Sequence, residues 1–221
     1  MQKLALFDLD NTLLTGDSDH AWGLFLASIN AVNAKEQTEA QDKFYQQYQQ
    51  GKLDIHEFLA FQFTPLKENT IETLEEWREQ YVEHYIQPMI TQARLDLVKL
   101  HQDLEHEVII ITASNSFITR PIADIFGIEH LIASEPEQNN KGFTGKLFGT
   151  PCFQEGKIEK LNHFLSENYS SNSNIKDYES WFYSDSHNDL PLLKKVTRPV
   201  AVTPDQSLRE YAQQQQWKII D

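Results

Sequence analysis

The chain contains a single cysteine, Cys152, among 221 residues. No intramolecular disulfide can form, and neither a thiolate zinc site nor a secreted disulfide framework can be built, so a reducing cytoplasm is the expected compartment. Positive charge is scarce as well. The 19 Lys and Arg face 33 Asp and Glu, a formal charge of -14, which repels nucleic-acid phosphates and anionic membranes and makes neither an expected partner. Long apolar runs are missing: the stretch Lys3 to Phe7 meets Asp8 too early for a signal peptide, and nothing approaches the ~18 residues of a membrane span. Gly and Pro number only eight each while hydrophobic residues make up 40%, which excludes a fibrous or disordered chain and allows a packed core. Arginine is absent from the first 77 residues, an absence that bears on substrate choice.

Four short apolar runs are present: Lys3 to Phe7, Val108 to Thr112, Trp181 to Tyr183 and Val200 to Val202, each followed by polar or turn residues. Such continuous runs read as strands buried on both faces of a parallel sheet. Helical patterning lies between them at Ile90 to His106, Thr119 to Phe126 and Gln154 to Glu167. The alternation predicts an α/β fold with a doubly wound, mainly parallel, Rossmann-like sheet. One region breaks it. From Asp17 to Tyr85 the pattern is helical, with Trp22, Phe25, Leu26 and Ile29 at i, i+3, i+4 and i+7 as one apolar stripe. Gly51 and Pro65 mark breaks and Pro88 its exit. The expected organisation is a catalytic core of residues 1–16 and 86–221 with an all-helical cap of residues 17–85. Residues 168–174, rich in Ser and Asn, read as a surface loop.

Polar groups cluster where the apolar runs end. Asp8 and Asp10 follow the first run, Thr112, Ser114 and Asn115 close the second, and Asp185, Asn188 and Asp189 follow the third. Gly156-Lys157 opens a helical stretch. Open α/β sheets place ligands at the carboxyl ends of their strands. Burying two such carboxylates together costs several kcal/mol unless a cation or a shared proton intervenes, and a magnesium ion meets that need with oxygen ligands. A bare Asp-x-Asp is common and alone describes a solvated turn; the four segments together do not.

In these segments, taken in order, the sequence resembles the haloacid dehalogenase superfamily of phosphohydrolases. The likeness is strongest to its phosphoserine-phosphatase-like branch, with a helical cap inserted after the first motif, and within that branch to histidinol-phosphate phosphatases. The resemblance implies a phosphomonoesterase with Asp8 as nucleophile, Asp10 as general acid and base, Thr112 as a phosphate donor and Lys157 as the neutralising cation. It implies magnesium held by Asp8, Asp185 and the backbone carbonyl of Asp10. Ser114, Asn115, Asn188 and Asp189 fall to the surrounding shell and the phosphate side.

The same resemblance bears on the substrate. Asp17 stands where phosphoserine phosphatases read the substrate amine, but the cap arginine that would read a carboxylate has no counterpart before Arg78. Lys43 or Lys52 would offer only a point charge. Asp17 and Asp19, with Glu57, predict an acidic cap entrance suited to a cationic small-molecule phosphomonoester such as histidinol phosphate. His20 and Arg120 are further expected substrate contacts, while Trp22 reads as helix packing. The alternatives are a phosphoserine or broad small-molecule phosphatase and, from another class, a noncatalytic phospho-acceptor module, which would need neither Asp10 nor a cap.

Overall fold

A computed structural model describes residues 3–169 and 173–221; part of the expected loop at 168–174 therefore lies outside the described residues. The chain opens with β1 (Lys3–Phe7), four of whose five residues are buried. Four helices follow: α1 (Ser18–Ser28), α2 (Ala34–Gln49), α3 (Ile55–Glu68) and α4 (Ile71–Tyr81). The side chains of Asp17, Asn33, Asp54 and Thr70 cap them in turn by accepting first-turn amides, which satisfies donors that a helix start leaves orphaned. Short π and 3-10 turns over Val82–Met89 lead back to the sheet. There Leu14 pairs with Ile90 and the Thr15 amide donates to the Met89 carbonyl at 3.0 Å, so the two connections lie side by side.

The remainder alternates as expected: α5 (Gln92–Asp103), β2 (Glu107–Asn115), α6 (Ser116–Ile125), β3 (His130–Asn139), β4 (Gly142–Phe148), α7 (Glu155–Asn168), β5 (Glu179–Ser184), α8 (Leu190–Leu193), β6 (Arg198–Val202), α9 (Gln206–Gln214) and β7 (Lys218–Ile220). The sheet order is β4-β3-β2-β1-β5-β6-β7, parallel except for the β3/β4 hairpin. Phe7 registers with Ile110 on β2 and with Tyr183 on β5. The chain's direction across the sheet reverses at β1, so the crevice between β1 and β5 is the topological switch point.

Alternation along β1 divides the core. Leu4 and Leu6 pack with Ile109, Ile111, Leu161 and Phe182 on one face. Ala5 and Phe7 pack on the other with Ile110, Tyr183 and the aromatic rings of the helical segment, as a two-residue side-chain period requires. Trp22 is 1% exposed and meets Phe25, Tyr81 and Phe117 at ring distances of 5.5, 5.1 and 6.3 Å. It is helix packing, as read from the sequence.

Three expectations need correction. Pro65 does not break the chain but sits inside α3, in its last turn, where neighbouring packing tolerates the lost hydrogen bond. β3 and β4 were not foreseen, and β2 runs on to Asn115 rather than stopping at Thr112. Finally, β7 adds a seventh strand at the edge.

Candidate active site

β1 ends at Phe7, and the Asp8 amide still pairs with the Tyr183 carbonyl at 2.9 Å. The Asp8 side chain is thereby fixed over the carboxyl ends of β1 and β5. Beyond it the chain turns through Asn11, whose φ of 55° is a left-handed conformation that asparagine tolerates. This turn brings Thr12 back, with Oγ1 at 3.5 Å from both Asp8 Oδ2 and Asp185 Oδ1.

Lys157 arrives from the first turn of α7. A Cβ at Gly156 would collide with the Pro151 carbonyl oxygen, so glycine is what lets this helix start close enough to the sheet. Lys157 Nζ lies 2.8 Å from Asp8 Oδ1 and 2.8 Å from Asp189 Oδ2. Ser184 Oγ donates to the same Asp189 oxygen at 2.7 Å. Asp10 accepts from the Ser18 amide at 2.6 Å and from Ser114 Oγ at 2.7 Å. The Thr112 hydroxyl, 1% exposed, accepts the Ser114 amide at 3.2 Å.

Charge sets the site's electrostatics. Burial pushes the Asp8 carboxyl up to about 7, with Lys157 opposing and Asp189 and Asp10 adding to the rise. Burial and then Asp17 push Asp10 up to about 6, against the hydrogen bonds from Ser114 and Ser18. Burial and the charges of Asp8 and Asp189 hold Asp185 well above the usual carboxylate range. Burial disfavours the charged Lys157, but Asp189 and Asp8 outweigh it and raise the ammonium.

One cation thus serves two buried carboxylates, Asp8 and Asp189, while the half-buried Asp185 has no ion-pair partner among the described residues. An all-oxygen donor set with excess negative charge fits a hard divalent cation. Asp8, Asp185 and the Asp10 backbone carbonyl could hold it. Among the described residues no three His, Cys, Asp or Glu side chains form a metal cluster.

Above this floor lies a cavity of about 460 Å³. Asp8, Asp10, Thr112, Ser114, Lys157, Asn188 and Asp189 line it from the core, and Asp17, Asp19 and His20 from α1 and its cap. The sequence reading missed Asp42 and the aromatic wall of Phe44, Tyr45, Tyr48, Phe58 and Phe153. α2 is rich in Gln and charged residues, so its apolar face gives a weak periodic signal. Asp17 caps α1 through the His20 amide at 2.8 Å. Asp19 accepts from Asn115 Nδ2 at 3.4 Å, and burial, then Asp17 and Asp10, hold its carboxyl well above the usual range.

Several expected contacts lie elsewhere. Arg120 is not among the lining residues: its guanidinium is committed to Asp124 and to the carbonyls of Ile128 and Glu129. Asn115 is not itself a lining residue: it caps α6 by accepting the Ile118 amide and donates to the lining residue Asp19. Asp185 lies beside the cavity, reached through Thr12. Glu57 is paired with Lys43 at 2.6 Å and does not shape the entrance. Arg78 donates to the Phe117 carbonyl at 3.1 Å. That carbonyl needs an outside donor because Pro121, four residues on, has no N–H to give it. Cys152 is buried, and burial pushes its thiol up to about 12.

A family model described as haloacid dehalogenase-like hydrolase matches residues 5–194. The chain is 43% identical to the histidinol-phosphatase of Neisseria meningitidis serogroup C (strain 8013), over 100% of this chain and 99% of the relative. It is 29% identical to the phosphoserine phosphatase SerB1 of Mycobacterium tuberculosis (strain ATCC 25618 / H37Rv), over 98% of this chain and 70% of that protein. A crystal structure of a protein of unknown function from Bordetella pertussis Tohama I superposes with a TM-score of 0.92 at 40% identity, covering 100% and 99% of the two chains. A substrate-bound phosphoserine phosphatase shares the fold, with a TM-score of 0.71 at 20% identity over 100% of this chain and 93% of that one.

Proposed function

The chain belongs to the haloacid dehalogenase-like hydrolase family and is a phosphatase; from that premise we propose that it hydrolyses a cationic small-molecule phosphomonoester, histidinol phosphate, through a phosphorylated Asp8. Residues 17–85 act as the cap that reads the substrate, over a catalytic core of residues 1–16 and 86–221. The single buried thiol suits a cytoplasmic enzyme, and no helix among the described residues is long and apolar enough to cross a membrane.

In the proposed reaction an Asp8 oxygen attacks phosphorus, and the ester bond breaks as the leaving alkoxide takes a proton from Asp10. Asp10 then accepts a proton from the water that attacks the aspartyl-phosphate, and the carboxylate of Asp8 is regenerated with release of phosphate. A carboxyl raised to about 6 by burial can serve in both directions near neutral pH. Lys157 and the Thr112 hydroxyl orient and neutralise the phosphoryl oxygens. Magnesium, held by Asp8, Asp185 and the carbonyl of Asp10, would supply the charge neutralisation that lets a carboxylate approach a phosphate dianion.

The observation that carries the substrate reading is the cavity's charge. Its lining includes Asp17, Asp19 and Asp42 and an aromatic wall, with Lys157 as the one lysine or arginine among the described lining residues. An amine is welcome there, an aromatic imidazole has rings to stack on, and a carboxylate at the cap side meets Asp17, Asp19 and Asp42 with no lysine or arginine beside them. Asp8→Asn tests the chemistry: the variant should fold and lose magnesium-dependent phosphate release from histidinol phosphate. Retention of more than about one hundredth of the wild-type rate would remove Asp8 from the nucleophile's role.

A further inference from the structure

Gln154 stands immediately before α7 and outside the lining of the cavity, yet its backbone is unusual for a residue with a side chain: φ is 48° and ψ is -118°. That combination is sterically disfavoured for any residue but glycine. The surroundings hold it from both ends. Its carbonyl accepts the Lys157 amide at 3.2 Å, while its side-chain amide donates to Asn188 Oδ1 at 3.1 Å. Asn188, 3% exposed, passes the link on, donating from Nδ2 to the Tyr48 carbonyl at 3.2 Å and to Ser186 Oγ at 3.4 Å. Both ends of the Asn188 amide are thus spent within the protein. Tyr48 lies in the last turn of α2 and lines the cavity. Its ring stands 6.3 Å from that of Phe153, the residue before Gln154.

A chain of side-chain and main-chain bonds therefore runs from the start of α7, through the loop after β5, to the end of α2. We infer that Gln154 is a positioning residue: through Asn188 it seats the C-terminal end of α2 on the catalytic floor in register with Lys157. Only a side chain with an amide donor of this length makes the link, and a glycine, which would fit the backbone with less strain, lacks it. The inference rests on the proposed function for its kinetic arm but not for its structural one.

The experiment uses the full chain, with Gln154→Leu, which removes the donor at similar size, and Asn188→Asp, which still accepts from Gln154 but cannot donate to the Tyr48 carbonyl. Amide hydrogen exchange over residues 46–52 is measured without substrate. Both variants should speed exchange there by about tenfold while α5 and the central strands keep their protection. With histidinol phosphate, Gln154→Leu should raise KM by about tenfold at nearly unchanged kcat, because the cap wall is displaced and the floor is not. Gln154→Asn, one methylene too short, serves if the leucine variant does not fold, with the same result expected. Unchanged exchange at residues 46–52 in either Gln154 variant, whatever the activity, would overturn the inference. So would a loss confined to kcat, which would make Gln154 a support for Lys157 alone. If the wild type proves indifferent to histidinol phosphate, the substrate reading fails and the exchange result still decides this one.

Discussion

Nζ of Lys157 lies 2.8 Å from Oδ1 of Asp8, and both side chains are almost wholly shut away from water. Asp189 shares the same ammonium, so one cation offsets two buried anions. Removing one member of a buried, hydrogen-bonded ion pair costs about 3–5 kcal/mol because the partner stays behind uncompensated. Lys157→Met should accordingly lower Tm by roughly 10 °C for a chain of this size, and phosphate release should be lost with it. Calorimetry at neutral pH checks this, and a methionine variant as stable as the wild type would show that Asp8 and Asp189 do not depend on the ammonium.

Asp10 is held by the Ser18 amide and the Ser114 hydroxyl. Asparagine at position 10 keeps the backbone carbonyl and much of this bonding but can no longer donate or accept the proton. Asp10→Asn should slow turnover of an ester with a poor leaving group by ~10²–10⁴-fold, with little change in Tm. A loss below about tenfold in steady-state kcat would assign proton transfer to another group.

Away from the site, His101 is buried between Tyr183 and His106, with ring nitrogens 2.9 Å and 2.8 Å from their polar atoms. Burial, then the neighbouring His106 and Lys218, pull its imidazole down from 6.5 to about 4. A depressed histidine is neutral when folded and protonates more readily when unfolded. Its contribution to stability is therefore complete above about 6.5 and fades as pH falls toward 4. The Tm difference between wild type and His101→Gln should narrow from pH 7.5 to pH 4.5. A constant difference would mean that the folded imidazole titrates like a free one.

Much of this was legible in the sequence, for identifiable reasons. β1, β2, β5 and β6 are buried on both faces, so each betrays itself as an unbroken apolar run, and the polar residues just beyond lie at the sheet's carboxyl edge. Asp8, Asp10, Thr112 and Asp189 met around one cavity because strand ends leave them nowhere else to go. The β3/β4 hairpin lacked that signal: its outer part carries Glu135, Glu137 and Gln138 with Pro136 between them, and much of it is partly exposed. The turn residues 139–142, Asn-Asn-Lys-Gly, with Gly142 at a φ of 124°, were the clue available. Pro65 looked like a break because its cost to α3 depends on packing that sequence does not display. Arg120 read as a substrate contact from its place after the second motif, but carbonyls left free near the end of α6 capture it. Asp42 and the rings of α2 face the cavity only through the packing of α2 against α1 and α3, which no local pattern encodes.

The substrate reading meets its most direct test in the ratio of kcat/KM for histidinol phosphate to that for phosphoserine. Both esters present the same phosphate to Asp8, Thr112 and Lys157, so the difference must arise in the cap. There Asp17, Asp19 and Asp42 can pair with either amine but leave a substrate carboxylate desolvated among like charges, which costs several kcal/mol. The account predicts a ratio of at least about 100, or roughly 2.7 kcal/mol at ~1.36 kcal/mol per decade. Equal values would contradict it, because some cationic group would then have to reach the carboxylate in a cavity whose lining offers none besides Lys157 and His20.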